Sequence, residues 1–349
     1  MSTDVIVYGA RGVVGRRVCA ELDAGGVAFE PARSRDDLDF DARIVVNCAG
    51  SLAGDRVLMA ALAAGAHYLD VGGDQAYVHE LFERHDSTAR RAGRTVLPAC
   101  ALDCVIGDLA AAWAAMHVCG VSDDGDAVRS EPAVRIGEAR PLDEIAVSYI
   151  FDDLVLSPGS QQTLFGALGT RGLRWTRDRW ETVAPGAVKR RVNVGASFGG
   201  ERDAVSFPGS DGLTIPRHVA ARTVQTFVST TRSTAAATAM RLFARALPLV
   251  PKRAAQLLAP FTPPDEDYAR TSFAIVAQAR RGFSASQVVV RGHDIYQTTG
   301  AIVAWVVRAL VARDAGPIGM RAPAELFRPE PALAELATVA GFAIDPSFR

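Results

Sequence analysis

The chain has 349 residues, enough for two hydrophobic cores, because single cores stop growing at roughly 250–300 residues. Its 38 Lys and Arg nearly cancel 39 Asp and Glu, leaving a formal net charge of -1, which excludes the strong bias of a nucleic-acid or acidic-membrane binder. Hydrophobic residues at 49% and charged residues at 22% are the make-up of a packed globule, and a start without a basic flank and apolar run predicts no targeting segment and a cytoplasmic protein.

Asp4-Val5-Ile6-Val7-Tyr8 is a β-branched run that breaks into Gly9-Ala10-Arg11-Gly12-Val13-Val14-Gly15. Apolar residues then recur at helical spacing as far as 22 and stop at Gly25-Gly26. Strand, glycine turn and helix in this order suit a dinucleotide. The glycines permit a sharp bend, bring bare backbone against a pyrophosphate and seat the helix on the sheet, while the helix N-terminus offers N–H groups to the anion. Gly9, Ala10, Arg11, Gly12, Val13, Val14 and Gly15 are therefore the expected diphosphate contacts.

Val27-Ala28-Phe29-Glu30 reads as the second strand, and the residues at its end, about 20 positions after the glycines, choose the cofactor. Arg33, Ser34 and Arg35 offer two guanidiniums and a hydroxyl to a 2′-phosphate. Glu30, followed by a proline, is the competing partner for the free ribose of NAD, and plain solvated charge is the bland alternative. NADP is thus preferred over NAD. Only 36–41 separates this strand from the third, 43–48, so a clipped turn is expected in place of a crossover helix. Cys48, Ala49 and Gly50 close the third strand with small residues that let backbone approach the cofactor, unless they form a simple strand-to-helix turn.

A helix over 55–64, a strand over 67–71, a helix over 75–91, a strand over 95–97 and a helix over 103–116 complete a parallel, doubly wound α/β pattern. Hydride transfer needs a dry pocket and often a proton donor. Tyr68, Asp74 and Asp103 lie on the carboxyl edge of this sheet and are the candidate catalytic residues. Asp74 and Asp103 read equally well as helix caps, and His67 as a satisfied core histidine. Asp108 sits among apolar neighbours and faces either solvent or the domain seam.

Composition shifts at 122–126, which predicts a dinucleotide-binding domain over 1–122, a substrate and dimerisation domain over 123–292, and helices over 293–349 that return to the first domain. Strands over 145–151 and 224–229 and a hairpin of 272–278 with 285–290 around Arg281-Gly282 give the second domain antiparallel character. Helices are expected over 161–168, 234–247, 253–258, 295–313 and 332–339. The longest apolar stretch read as helix, 301–312, is too short for a bilayer and is broken by Arg308. If the substrate is an amino acid, Arg217 and Arg222 are the candidate carboxylate forks. If it is an acyl chain, Trp175, Trp180 and Phe207 would line an apolar slot. The five cysteines, Cys19, Cys48, Cys100, Cys104 and Cys119, have no paired spacing and no zinc-site partners, so reduced thiols and no metal are expected.

Four stretches together resemble the saccharopine dehydrogenase-like oxidoreductases. They are the glycine turn; Val45-Val46-Asn47-Cys48-Ala49-Gly50 with Gly65-Ala66-His67-Tyr68-Leu69-Asp70-Val71-Gly72-Gly73-Asp74; Ala101-Leu102-Asp103-Cys104-Val105-Ile106-Gly107-Asp108-Leu109, similar to the family's GFDSVPSDL; and Gly316-Pro317-Ile318-Gly319 to Glu325 with 333–341. The resemblance implies a Rossmann domain, a mixed α/β second domain that mediates a homodimer, and hydride transfer between a nicotinamide and a C=C, C=N or C=O bond of a small or carrier-bound metabolite. Family members include saccharopine reductases and trans-acting enoyl reductases. Here Ala101-Leu102 replaces Gly-Phe, Cys104 replaces Ser, and Ile106-Gly107 replaces Pro-Ser. These departures motivate the alternative reading, a dinucleotide-binding sensor or scaffold without turnover.

Overall fold

The computed structural model describes residues 3–32, 34, 36–168, 171–230, 262–312 and 316–348. Arg33, Arg35 and the helices expected over 234–247 and 253–258 lie outside the described residues. The first sheet contains β1 (Thr3–Tyr8), β2 (Phe29–Pro31), β3 (Ala42–Asn47), β4 (His67–Asp70) and β5 (Thr95–Leu97), with α1 (Val13–Ala24), α2 (Ser51–Ala63), α3 (Gln75–Arg91) and α4 (Leu102–Cys119) between and after them. Five strands pair in the order β5-β4-β3-β1-β2, all parallel. Val5, Val7, Ile44 and Val46 are fully buried, as central parallel strands covered on both faces must be. β1 has β2 on one side and β3 on the other, so the chain reverses direction across the sheet there. The crevice at that switch point lies at the carboxyl end of β1, where the glycine turn begins.

Between β2 and β3 the connection runs over 32–41, and its described residues contain no helix. Pro31 does not end β2 before Glu30; it pairs with Val7, which leaves Glu30 inside the strand opposite Ile6.

The second sheet is built from β6 (Glu144–Asp152), β7 (Gly172–Thr176), β8 (Arg179–Val183), β9 (Lys189–Asn193), β10 (Glu201–Ser206), β11 (Thr223–Ser229), β12 (Ser272–Arg281) and β13 (Ser284–His293), with α5 (Pro158–Leu168) and α6 (Asp211–His218) in its connections. β6 is central, antiparallel to β12 and parallel to β11. Past α7 (Ile295–Val311) the chain revisits both sheets. β14 (Gly319–Met320) adds a sixth parallel strand beside β5, α8 (Pro323–Leu326) and α9 (Pro329–Ala340) follow, and β15 (Ala343–Phe348) pairs antiparallel with β13. No strand was legible at 343–348.

One hydrophobic core joins the two sheets. Val5, Val46, Ile106, Leu109, Val147, Phe273, Val288 and Ile302 all belong to it, and α4 supplies its axis. Alanines at 110, 111, 112, 114 and 115 keep α4 thin enough for β12 and β13 to approach. Among the described residues α4, not 301–312, is the longest apolar helix. It is long and apolar enough to cross a membrane, but most of it is buried inside the fold. α7 rests on α1, where a Cβ at Gly300 would come within 3.0 Å of the Arg17 backbone.

Candidate active site

A cleft of about 1250 Å³ runs from the glycine turn to the second sheet. Arg11, Gly12, Val13 and Val14 form one end, Cys48, Ala49, Gly50, Gly72 and Gly73 its floor, and Phe151, Leu154, Leu156, Leu164, Phe207 and Val228 its far wall. All five cysteines are free, and burial raises the thiol of Cys48 well above its usual range, so no reactive thiolate is available there.

The bend at the start of α1 is built of backbone. Gly9 takes φ +81°, and a Cβ there would lie 2.7 Å from the Ala49 nitrogen; a Cβ on Gly15 would lie 2.2 Å from the Gly9 carbonyl oxygen. Strand end, turn and helix therefore touch without side chains between them. Gly12 caps α1 with no side-chain hydrogen bond, which leaves the first N–H groups facing the cleft beside the Arg11 side chain. A positive helix end, bare backbone and a guanidinium fit the diphosphate of a dinucleotide. Arg16 also lines the cleft, paired with Asp265 at 2.9 Å. At the tip of β2, Ser34 accepts a bond from the Asp36 N–H at 3.3 Å and is exposed.

The three candidate catalytic residues do not meet. Tyr68 is fully buried below the cleft, where its hydroxyl donates to Asp70 at 2.6 Å, and it is absent from the cleft lining. Tyr77, Asn47 and the Gly72 N–H also donate to Asp70, at 2.6, 2.9 and 2.7 Å. Burial pushes the Asp70 carboxyl up, and these four bonds pull against it. This cluster fixes the loop after β4. Asp74 does line the cleft but caps α3, accepting from the Tyr77 N–H at 2.9 Å.

Asp103 also lines the cleft. It is not the cap of α4: that position is Ala101, and Asp103 occupies the first turn without a capping bond. It is exposed at the cleft, where desolvation pushes its carboxyl up and a bond from its own backbone N–H pulls against that rise. An acid so placed suits proton transfer to a bound molecule.

Behind Asp103 lie residues that sequence reasoning left without a role. Tyr149, from β6, lines the cleft, and its oxygen is 2.8 Å from Asp211 Oδ2. Asp108 faces the seam, with His218 Nε2 at 2.9 Å from Oδ2 and the Ala324 N–H donating to Oδ1 at 2.9 Å. His67 is satisfied as expected: its Nδ1 accepts from the Thr95 N–H at 3.0 Å. Two latches hold the walls together. Gln75 Nε2 donates to the carbonyls of Leu173 and Gly209 at 2.9 and 2.8 Å while its Oε1 accepts from the Leu173 N–H at 2.6 Å. Ser210 donates to the Gly73 carbonyl at 2.9 Å.

The two substrate pictures fare differently. Arg217 is paired with Glu325 at 2.9 Å and stacked 4.4 Å from the Phe82 ring centre, and Arg222 is exposed; neither lines the cleft. Phe207 does line it, whereas Trp175 and Trp180 pack edge to face at 4.9 Å outside it.

No protein-family model matches the chain. Over 79 residues it is 30% identical to a lipid droplet localized protein of Caenorhabditis elegans, a match that covers 22% of this chain and only 18% of that relative's length. Among solved structures, it superposes on apo saccharopine dehydrogenase (L-Glu forming) from Saccharomyces cerevisiae with a TM-score of 0.55 at 13% identity, covering 99% of this chain and 100% of that one. A DAP dehydrogenase of C. glutamicum in complex with DAP gives a TM-score of 0.45 at 13% identity, covering 97% and 99%. The chain therefore has a saccharopine dehydrogenase-like fold, a parallel α/β sheet joined to a mixed second sheet.

Proposed function

We propose that the chain is a reductase that uses a nicotinamide dinucleotide, NADP before NAD, to reduce a C=C, C=N or C=O bond of an apolar metabolite, small or carrier-bound. One observation carries the reading: the uncapped glycine bend and a carboxyl driven toward its protonated form open into the same cleft. Gly9 to Gly15 would hold the diphosphate, Cys48 to Gly50 and Gly72-Gly73 would border the middle of the cofactor, and Arg33, Ser34 and Arg35 would receive the 2′-phosphate. The bound cofactor supplies the hydride. Asp103 holds the proton that balances it, and Phe151, Leu154, Leu156 and Phe207 keep water from the reacting bond. A dinucleotide-binding sensor or scaffold without turnover is the second reading: of the departures that motivate it, Ala101 and Leu102 line the cleft while Cys104 and Ile106 are buried outside its lining, and a single clear turnover excludes it.

Titration with NADPH and NADH, followed by fluorescence or thermal shift, tests the proposal. Tighter binding of NADPH supports it, and Arg33→Ala with Arg35→Ala should cut that preference about tenfold or more. Failure to bind either dinucleotide overturns it. A homodimer through the second sheet belongs to the same proposal and is read by light scattering.

A further inference from the structure

We propose that Tyr149 and Asp211 form an oxyanion-holding pair that selects a carbonyl-bearing substrate, a ketone or an enone, with its oxygen on the Tyr149 hydroxyl. This deepens, and rests on, the reading of the chain as a nicotinamide-dependent reductase.

Tyr149 lines the cleft beside Asp103, and its oxygen sits 2.8 Å from Asp211 Oδ2. Asp211 is fully buried, and its other oxygen, Oδ1, has no hydrogen-bond partner among the described residues. A carboxylate left bare in such a place is strongly disfavoured. The groups facing it are Tyr149 from β6 and Asp103, Cys104 and Asp108 from α4, with His218 of its own helix turned to Asp108. Burial pushes the Asp211 carboxyl well up, the bond with Tyr149 pulls against that rise, and the neighbouring Asp108 adds to it; in the proposed pair Asp211 carries a proton. A protonated carboxyl donates to the tyrosine oxygen and frees the tyrosine O–H for the cleft. Position 107 makes room for this. A Cβ there would lie 2.1 Å from the Tyr149 oxygen and 2.6 Å from Asp211 Oδ1. The glycine that departs from the family's serine is thus the opening through which the pair meets.

The chemistry balances. The substrate gains a hydride from the reduced dinucleotide at the carbonyl carbon of a ketone or the β-carbon of an enone, and the displaced π pair ends on oxygen. Tyr149 holds that oxyanion by hydrogen bond and keeps its proton. The Asp103 O–H bond then breaks, and its proton completes an alcohol O–H or an α-carbon C–H bond. The Asp103 carboxylate regains a proton from solvent.

The test uses 4-nitrophenol, whose phenolate mimics the oxyanion, with binding read by absorbance on protein without dinucleotide. The wild type should bind it, and Tyr149→Phe should weaken binding at least tenfold while still melting cooperatively, at a temperature lowered by the loss of the buried bond to Asp211. In infrared spectra the C=O stretch of a protonated buried carboxyl should vanish in Asp211→Asn and shift in Tyr149→Phe. A wild type that ignores the phenol, a Tyr149→Phe that binds it equally, or a stretch that survives Asp211→Asn overturns the proposal. If Asp211→Asn does not fold, the Tyr149→Phe shift decides, and its absence counts against the pair. Neither arm needs a cofactor, so failure of the reductase reading, seen as no NADPH or NADH binding, is separately visible.

Discussion

Gly12 and Gly15 stand three residues apart in one bend, and a methyl group on each asks a different question. At Gly12 the backbone is extended, with φ -71° and ψ 169°, so alanine adopts it without strain. Its Cβ would have the Gly9 carbonyl oxygen at 3.3 Å and the Cys48 carbonyl oxygen at 3.9 Å, and nothing else within 4 Å. Gly12→Ala should therefore change folding stability by no more than about 0.5 kcal/mol. The same methyl projects into the cleft, where it keeps a diphosphate from the N–H groups of α1. Losing one or two charge-assisted bonds of about 1.5–3 kcal/mol each weakens NADPH binding by at least tenfold. At Gly15 the Cβ would lie 2.2 Å from the Gly9 oxygen and 2.8 Å from the Ala10 Cα, both backbone. Gly15→Ala should then destabilise by about 1–3 kcal/mol, reduced by the better helix propensity of alanine, which is worth about 1 kcal/mol. Calorimetric titration with NADPH and urea unfolding separate the two effects. A Gly12→Ala protein that is stable and binds NADPH like the wild type would refute the assignment of this bend to the diphosphate.

Three further outcomes follow from the geometry. Asp103→Asn keeps the shape of the first turn of α4 and removes its proton donor, so kcat should fall about 10²–10⁴-fold with little change in NADPH affinity, measured by steady-state kinetics and titration. His67 is held neutral by burial and by the Arg94 and Arg43 charges, which lower it from 6.5 to about 4. The unfolded chain takes up this proton first, so stability should drop as pH falls from about 6.5 to about 4, by about 1–2 kcal/mol after allowance for partial exposure; denaturant melts of wild type and His67→Gln should show that slope in the wild type alone. Gln75→Ala strips partners from three backbone groups and should lower stability by about 2–4 kcal/mol in urea unfolding.

The first sheet was readable because its chemistry is local. Val5 to Tyr8 and Ile44 to Val46 are apolar runs, and glycines punctuate the helices between them. The edge of the second sheet was not. β7 to β9 carry Arg174, Arg179, Glu181, Lys189 and Arg191, charges that edge strands tolerate and that make a sequence look like loop. The site was legible in part. Glycine spacing announced the bend, and the carboxyl edge brought Asp74 and Asp103 to the cleft. Tyr68 misled because strand alternation sends it beneath the sheet, to Asp70, instead of to the ligand edge. Tyr149 and Asp211 lay hidden because one comes from the central strand β6 and the other from α6, 62 residues apart, and only their approach across Gly107 gives them a joint meaning.

β14 and β15 follow the other described strands along the chain and go one to each sheet. A nascent chain that has yet to emerge past 318 must hold two unfinished sheet margins at once, with β5 and β13 each lacking a neighbour. Such a chain cannot complete its halves one after the other on the ribosome, and premature termination between β13 and β14 would leave two adhesive borders, at β5 and β13, that the longer chain pairs.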